Sequence, residues 1–339
     1  MRISEYVSVG HPDKVADYIS EYILDRLLEQ DPNTRYALEV QIKDNHVTLG
    51  GEITTKAELA EPCWLDWTRE ALDEIGYDQD YCDKWGSENT IDPSQLTVDA
   101  HISTQSPDIA QGVDNDGWGD QGIFWGMACH ETEDLLPKDY YWAKKLCQEL
   151  YWMARNGAGW GLDIKTQIVL DGNDKICKVI VAAPLKDQKL EDDIAFATSN
   201  LLPDDGFQLI INGTGAYVKH ASIGDCGTTG RKLVVDFYGG NCRIGGGSPW
   251  TKDGTKADLA LNLVARKIAV IALTERHLDV AYASIGCCIG RPEIDITIYD
   301  GQNNVVDSYT YTQPVSKTIE LLGLREPHYA QRCIDGLWG

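Results

Sequence analysis

Apolar residues recur every three or four positions over Asp13–Gln30, where Ala16, Ile19, Ile23, Leu24, Leu27 and Leu28 share one face. This spacing predicts an amphipathic helix. Alternation then takes over. Tyr36, Leu38, Val40 and Ile42 read as one strand, Asn45-His46 as a turn, and the residues through Ile53 as its partner. A helix follows over Pro62–Ile75, with Pro62 near its first turn. The order returns as a helix over Tyr140–Arg155, strands Lys165–Leu170 and Cys177–Ala183 around the turn Asp171-Gly172-Asn173-Asp174, and a helix over Leu190–Asn200. It returns again as helix Ala257–Thr274, strands Asp279–Ile285 and Ile294–Tyr299, and helix Val315–Leu322, with Asp300-Gly301 ending the last strand pattern. Leu96–Ile102, Phe207–Asn212 and Lys232–Phe237 read as further strands.

The order helix–strand–strand–helix thus appears three times at a spacing of about 120 residues, the length of a common domain. Half-alternating strands joined by hairpins imply an α+β chain of three similar domains, each a mixed, mainly antiparallel sheet with helices on one face. The expected divisions are 1–107, 108–221 and 222–339, with short segments free to exchange between them. The run Gln105–Asp120 carries little hydrophobic pattern, and a loop of that length is either functional or disordered.

Charge sharpens this picture. The chain has 30 Lys+Arg against 53 Asp+Glu, a formal net charge of −23. Such acidity argues against nucleic acid or an anionic membrane as partner and favours a small ligand held in a local basic pocket. No apolar run is long enough to span a membrane and the N-terminus lacks a signal-peptide core, so a cytoplasmic location is expected. The ten cysteines are spread without zinc-type spacing and read as reduced, mostly buried thiols. Against this acidic background Gly224–Asp258 stands out, with five basic residues (Arg231, Lys232, Arg243, Lys252, Lys256) against four acidic ones among many glycines. It reads either as a backbone-and-cation cradle for a polyanion or as a solvated surface loop.

Other segments carry candidate chemistry with equally plain alternatives. Gly10-His11-Pro12-Asp13-Lys14 opens the first helix; it can hold phosphate and magnesium, or simply cap. Gly50-Gly51-Glu52, Gln105-Ser-Pro-Asp-Ile109 and Gly119-Asp120-Gln-Gly122 set acids and amides on glycine-supported loops, as binding groups or as turn formers. Asp163-Ile-Lys165 stands at a strand start. No nucleophile elbow, zinc-protease motif, Walker loop or strand-to-helix dinucleotide fingerprint occurs, which argues against serine hydrolases, P-loop ATPases and Rossmann oxidoreductases.

Taken in order, these segments, with Ile211-Asn-Gly-Thr-Gly215, Gly224-Asp-Cys-Gly-Thr-Thr-Gly-Arg-Lys232, Val235-Asp-Phe-Tyr-Gly-Gly240, Gly245-Gly-Gly247, Lys252-Asp253 and Lys256-Ala-Asp258, resemble the S-adenosylmethionine synthetase (methionine adenosyltransferase) family over most of the chain. The resemblance implies three α+β domains about a pseudo-threefold. It also implies formation of S-adenosylmethionine from ATP and L-methionine, by in-line attack of sulfur on ribose C5′ with tripolyphosphate leaving and then hydrolysed to pyrophosphate and phosphate. By that resemblance His11, Lys165, Arg231, Lys232 and Lys252 grip phosphate, and Asp120 stabilises the sulfonium. Glu5, Glu52, Gln105, Asp225 and Lys256 hold methionine, while Asp163, Tyr217 and Ile285 contact the nucleoside. Asp13 and Asp258 would bind two magnesium ions and Glu39 potassium. The site would lie between subunits of a homodimer or a dimer of dimers.

The chain departs from the family pattern at Val9, Asn212-Gly213, Ala216, Lys219-His-Ala-Ser222, Trp118 and Ser248-Pro-Trp-Thr251, and its loop between Gln111 and Gly119 is short. Trp118, Trp250 and that loop predict a permanently shaped entrance, unless both rings pack on the surface or at a subunit contact. Two other readings stand beside the enzyme: a weakly catalytic relative that binds ATP or product as a sensor, and an acidic interaction protein. Retention of every leaving-group cation argues against the first, and the clustered cations against the second.

Overall fold

The computed structural model describes residues 1–59, 63–104, 116–215 and 217–338. Among them the strands are β1 Arg2–Val7, β2 Arg35–Lys43, β3 His46–Thr54, β4 Thr97–Ser103, β5 Gly122–Cys129, β6 Lys165–Leu170, β7 Ile176–Ala182, β8 Gln208–Ile211, β9 Gly227–Thr228, β10 Val280–Cys287, β11 Glu293–Asp300 and β12 Val305–Thr312. They form three four-stranded sheets, β4-β3-β2-β9, β1-β6-β7-β8 and β12-β11-β10-β5. The third is wholly antiparallel, whereas β3–β4 and β7–β8 pair in parallel within the other two. The α+β architecture expected from the periodicity is therefore found.

One long helix backs each sheet: Pro12–Gln30 lies on β2 and β9, Lys138–Arg155 on β1 and β6, and Ala257–Glu275 on β5 and β10. Each sheet also takes a strand from a distant part of the chain: β9 beside β2, β1 beside β6, and β5 beside β10. Non-local pairing of this kind leaves no mark on local periodicity, so β1 and β5 have no counterpart among the expected strands.

One expectation is corrected. Lys232–Phe237 is not a strand; Leu233–Phe237 is a short helix. A five-residue apolar run fixes no period, and the helical turn brings Asp236 within 2.7 Å of the Lys14 ammonium. Asp300-Gly301 ends β11 as expected, and the turn leads into β12, a strand additional to the sequence reading whose residues are mostly exposed on both faces and so show no alternation. The helices Gln79–Trp85 and Tyr329–Asp335 are likewise additional to the sequence reading.

The helix Pro12–Gln30 is buried on nearly every side. Asp13, Asp17, Glu21 and Asp25 recur along it at intervals of four and so share one face. Each accepts main-chain N–H groups from far along the chain: Thr228 to Asp13, Gly230 to Asp17, Thr251 to Glu21, and both Tyr329 and Ala330 to Asp25. A carboxylate taken out of water is tolerable when such donors replace its hydration. Burial nevertheless dominates at Asp25, pushing its carboxyl up to about 6.

A raised native pKa means the unfolded chain releases this proton first, so the stability due to Asp25 is complete below about 4 and is lost as pH rises through about 6. Wild-type protein is expected to lose stability relative to Asp25→Asn between pH 4 and 7, measured by urea unfolding of both at each pH. A difference that stays constant or moves the other way would contradict this.

Candidate active site

The N-terminus of the first helix is the centre of one charged cluster. His11 caps it, with Nδ1 accepting the Asp13 N–H at 3.2 Å. The proton of the neutral ring therefore sits on Nε2. Burial, reinforced by Lys232, lowers the His11 pKa to about 4, so the ring is neutral at pH 7. Asp13 is buried beside it. Its Oδ1 accepts the Thr228 N–H at 2.9 Å, its Oδ2 accepts the Lys232 ammonium, and Arg231 Nε lies 3.7 Å from Oδ1. Burial alone would raise the Asp13 carboxyl, but the Lys232 and Thr228 hydrogen bonds hold it below the ordinary value. Gly227 permits the close approach of this segment, since a Cβ there would lie 2.0 Å from the Pro12 carbonyl oxygen.

Around this centre stand Lys165, Glu5, Asp163, Tyr217 and Asp225. Lys165 and Glu5 lie on the paired strands β6 and β1 and form a 2.8 Å ion pair. Asp163 is buried; its Oδ2 accepts the Ala221 N–H at 2.9 Å and its carbonyl the Tyr217 hydroxyl at 3.5 Å. Burial pushes its carboxyl up to about 6. Asp225 is exposed and binds the Cys226 N–H through Oδ1 at 2.8 Å. Lys165 and Asp225 both act electrostatically on His11, so sequence positions from 5 to 232 converge here.

A second cluster forms at the start of helix Ala257–Glu275. Asp258 lies in its first turn, and Lys256 is the residue before it. Lys252 donates to Asp258 at 2.8 Å and to the Ser248 carbonyl at 3.1 Å. Gly247 passes so close that a Cβ would lie 1.9 Å from Asp258 Oδ1. Asp120 is exposed, with its carbonyl accepting the Cys287 thiol at 3.3 Å. Asp120 and Asp258 both act on that thiol, which places them near one another. Glu39 links the two clusters: its Oε2 accepts the Thr229 hydroxyl and its Oε1 the Thr251 hydroxyl at 3.2 Å.

Glu52 is half-buried on β3, paired with Ala37 and Ser103, and Ala37 in turn bridges to Lys252 of the second cluster. Ile285 is 0% exposed and its side chain is spent in the core, so an apolar adenine contact from it has no open surface in this chain. Gln105 and Ala216 lie outside the described residues, as does the loop as far as residue 115.

The entrance expected of Trp118 and Trp250 is also corrected. Both are core residues, 0% and 1% exposed. Trp118 bridges to Ile289, accepting the Gly290 N–H at 2.7 Å and donating to the Arg291 carbonyl at 3.1 Å. Trp250 lies under the Lys14 ammonium, 4.2 Å from the ring centroid. Large rings at these two positions replace packing volume, not solvent-facing surface.

The reading of individual motifs missed Asp17 and Glu21, which hold the backbone beside Arg231 and Lys252. An available signal was the run of acids four apart with no base to match three of them on the same helix face.

Comparison with known proteins identifies the family. Residues 1–107 match the N-terminal domain of S-adenosylmethionine synthetase, residues 115–217 its central domain and residues 220–339 its C-terminal domain. The S-adenosylmethionine synthase of Oleidesulfovibrio alaskensis is 35% identical, over 99% of this chain and 91% of that protein. That of Acaryochloris marina is also 35% identical, over 94% and 83%. A solved structure, described as an unusual S-adenosylmethionine synthetase from Campylobacter jejuni, aligns with TM-score 0.89 at 29% identity, over 99% of this chain and 94% of that one. Matched in all three segments and along nearly its whole length, the chain belongs to the S-adenosylmethionine synthetase family of methionine adenosyltransferases.

Proposed function

We propose that the two clusters are halves of one site that separates charge as ATP and methionine form S-adenosylmethionine. The observation that carries the proposal is the pairing of the phosphate-directed lysines: Lys232 with Asp13, Lys165 with Glu5, and Lys252 with Asp258. Each pair joins a cation suited to phosphate with a carboxylate suited to a metal or to the methionine amine. Substrate binding exchanges partners without leaving any charge uncompensated, which keeps the cost of desolvation low.

A neutral thioether attacks ribose C5′ and becomes a sulfonium while the triphosphate chain leaves, so no protein nucleophile is required. The enzyme's part is position and fixed charge. His11, neutral with its proton on Nε2, donates to the departing oxygen. Lys165, Arg231, Lys232 and Lys252 balance the leaving chain, and Asp120 faces the developing sulfonium. Lys256 pairs with the methionine carboxylate, and Glu5, Glu52, Gln105 and Asp225 serve its amino-acid end. Asp163 and Tyr217 hold the nucleoside.

No group of three or more His, Cys, Asp or Glu side chains suited to a metal occurs among the described residues. Single carboxylates beside phosphate-directed lysines nevertheless fit magnesium, which takes one or two protein oxygens and completes its shell with water and phosphate. Asp13 and Asp258 would hold one ion each, and the ions would neutralise polyphosphate charge. Glu39 with the Thr229 and Thr251 hydroxyls offers hard oxygens of the kind potassium takes. Because Lys165 with His11 and Lys252 with Asp258 fall in separate clusters, a homodimer or dimer of dimers that sets one cluster against its partner's other cluster is the assembly we favour. No helix among the described residues is long and apolar enough to cross a membrane; a cytoplasmic location is consistent with that.

Purified protein given ATP, methionine, magnesium and potassium is expected to yield S-adenosylmethionine with equal amounts of pyrophosphate and phosphate, read by chromatography and phosphate assay. Absence of the sulfonium product at saturating substrate would overturn the reading. Lys165→Met and Asp258→Asn should each lower kcat roughly 100-fold or more with unchanged circular dichroism. Wild-type turnover in either would remove that residue from the site.

A further inference from the structure

His220 occupies the segment where the chain departs from the family pattern, and it is the hub of a network that the reaction itself does not require. The ring is 1% exposed and sits among Tyr77, Tyr81 and Trp85, with the Trp85 ring edge-on at 4.8 Å. Its Nδ1 lies 2.7 Å from the Val218 carbonyl oxygen, which can only accept, so Nδ1 carries the proton. Nε2 is therefore a lone pair, and the Tyr81 hydroxyl 2.7 Å away donates to it. The Tyr81 oxygen in turn accepts the Leu162 N–H at 3.1 Å. The hydrogen bonds run in one direction from Leu162 through Tyr81 and His220 to Val218, and they fix a single tautomer. Burial lowers the His220 pKa to about 4, in keeping with a neutral ring.

Both ends of this relay adjoin the nucleoside half of the site. Leu162 precedes Asp163, and Val218 follows Tyr217. Between them the main chain is anchored again, since the His220 N–H donates to the Asn89 carbonyl at 2.9 Å. Ala221, the next residue, has φ +51°, a left-handed conformation that costs an alanine about 1 kcal/mol. That geometry aims the Ala221 N–H at Asp163 Oδ2, 2.9 Å away. Strain in a non-glycine residue persists where its surroundings over-determine it, and here the buried imidazole one residue earlier does so.

We propose that His220 is a positioning residue for nucleotide binding: through Tyr81 and Ala221 it sets Asp163 and Tyr217 relative to one another, although it touches no substrate. This rests on the reading of Asp163 and Tyr217 as nucleoside contacts. Substitution should therefore weaken ATP far more than methionine.

Steady-state kinetics of the full chain tests it with His220→Phe, which keeps a ring in the aromatic cluster, and with Tyr81→Phe, which breaks the relay if the first variant does not fold. Either should raise the KM for ATP about tenfold, with the KM for methionine within about twofold and kcat little changed. Loss of active enzyme, by active-site titration, with both KM values unaltered would reduce His220 to a packing role and overturn the proposal. Asp163→Asn is the control for the underlying reading: it should raise the same KM. If it does and the other variants do not, only the inference about His220 fails; if it does not, both fail.

Discussion

Four carboxylates on one buried helix determine where the rest of the site can be. Asp13, Asp17, Glu21 and Asp25 accept main-chain N–H groups that lie between 213 and 305 residues further on. Hydrogen bonds to such acids are worth roughly 0.5–3 kcal/mol each, the more the larger the charge on the acid, and a buried acid left without them would cost several. The helix therefore selects the one path of the glycine-rich segment that brings Thr228, Gly230 and Thr251 onto its face. Arg231, Lys232 and Lys252 are neighbours of those residues in sequence, so their positions follow. The same logic explains the glycines at 227 and 247, where the backbone passes within contact of the Pro12 carbonyl and the Asp258 carboxylate.

This construction suits a reaction whose difficulty is charge. A segment that carries several cations, proposed here to face a polyphosphate, must stay folded around like charges, and two devices allow it. The backbone is pinned by acids that use main-chain donors rather than the lysines themselves, and each lysine rests on a separate carboxylate. The Lys14 ammonium, caught between Asp17, Asp236 and the Trp250 ring, neutralises the buried end of the ladder without entering the site. Trp250 is thus part of the support beneath the cations proposed to face phosphate.

Much of this was legible from residues alone, for physical reasons that differ by element. Helices such as Val315–Leu322 and strands such as β6 bury one face locally, so periodicity reports them within a residue or so. The candidate site residues stood out in the sequence because a polyanion demands cations and glycines whatever the fold around them. What stayed hidden was non-local. β1, β5 and β9 take their partners from remote segments, and no local pattern records a partner. The run at Leu233–Phe237 is helical because Asp236 must meet Lys14, a constraint written 222 residues away. Trp118 and Trp250 looked like surface features because substitution by a large ring gives no sign of whether it fills a core or a mouth.

We propose that one chain holds two half-sites, each with its own ion-paired lysine, and that a complete site joins halves from two chains. Mixing Lys165→Met with Asp258→Asn after joint unfolding and refolding tests it directly, because each variant damages a different half. If the halves meet across subunits, hybrid dimers contain one intact site in two, and an equal mixture should recover roughly a quarter of wild-type synthesis from two nearly inactive proteins. Recovery no greater than the sum of the separate residual activities would show that each chain completes its own site, and would contradict the account.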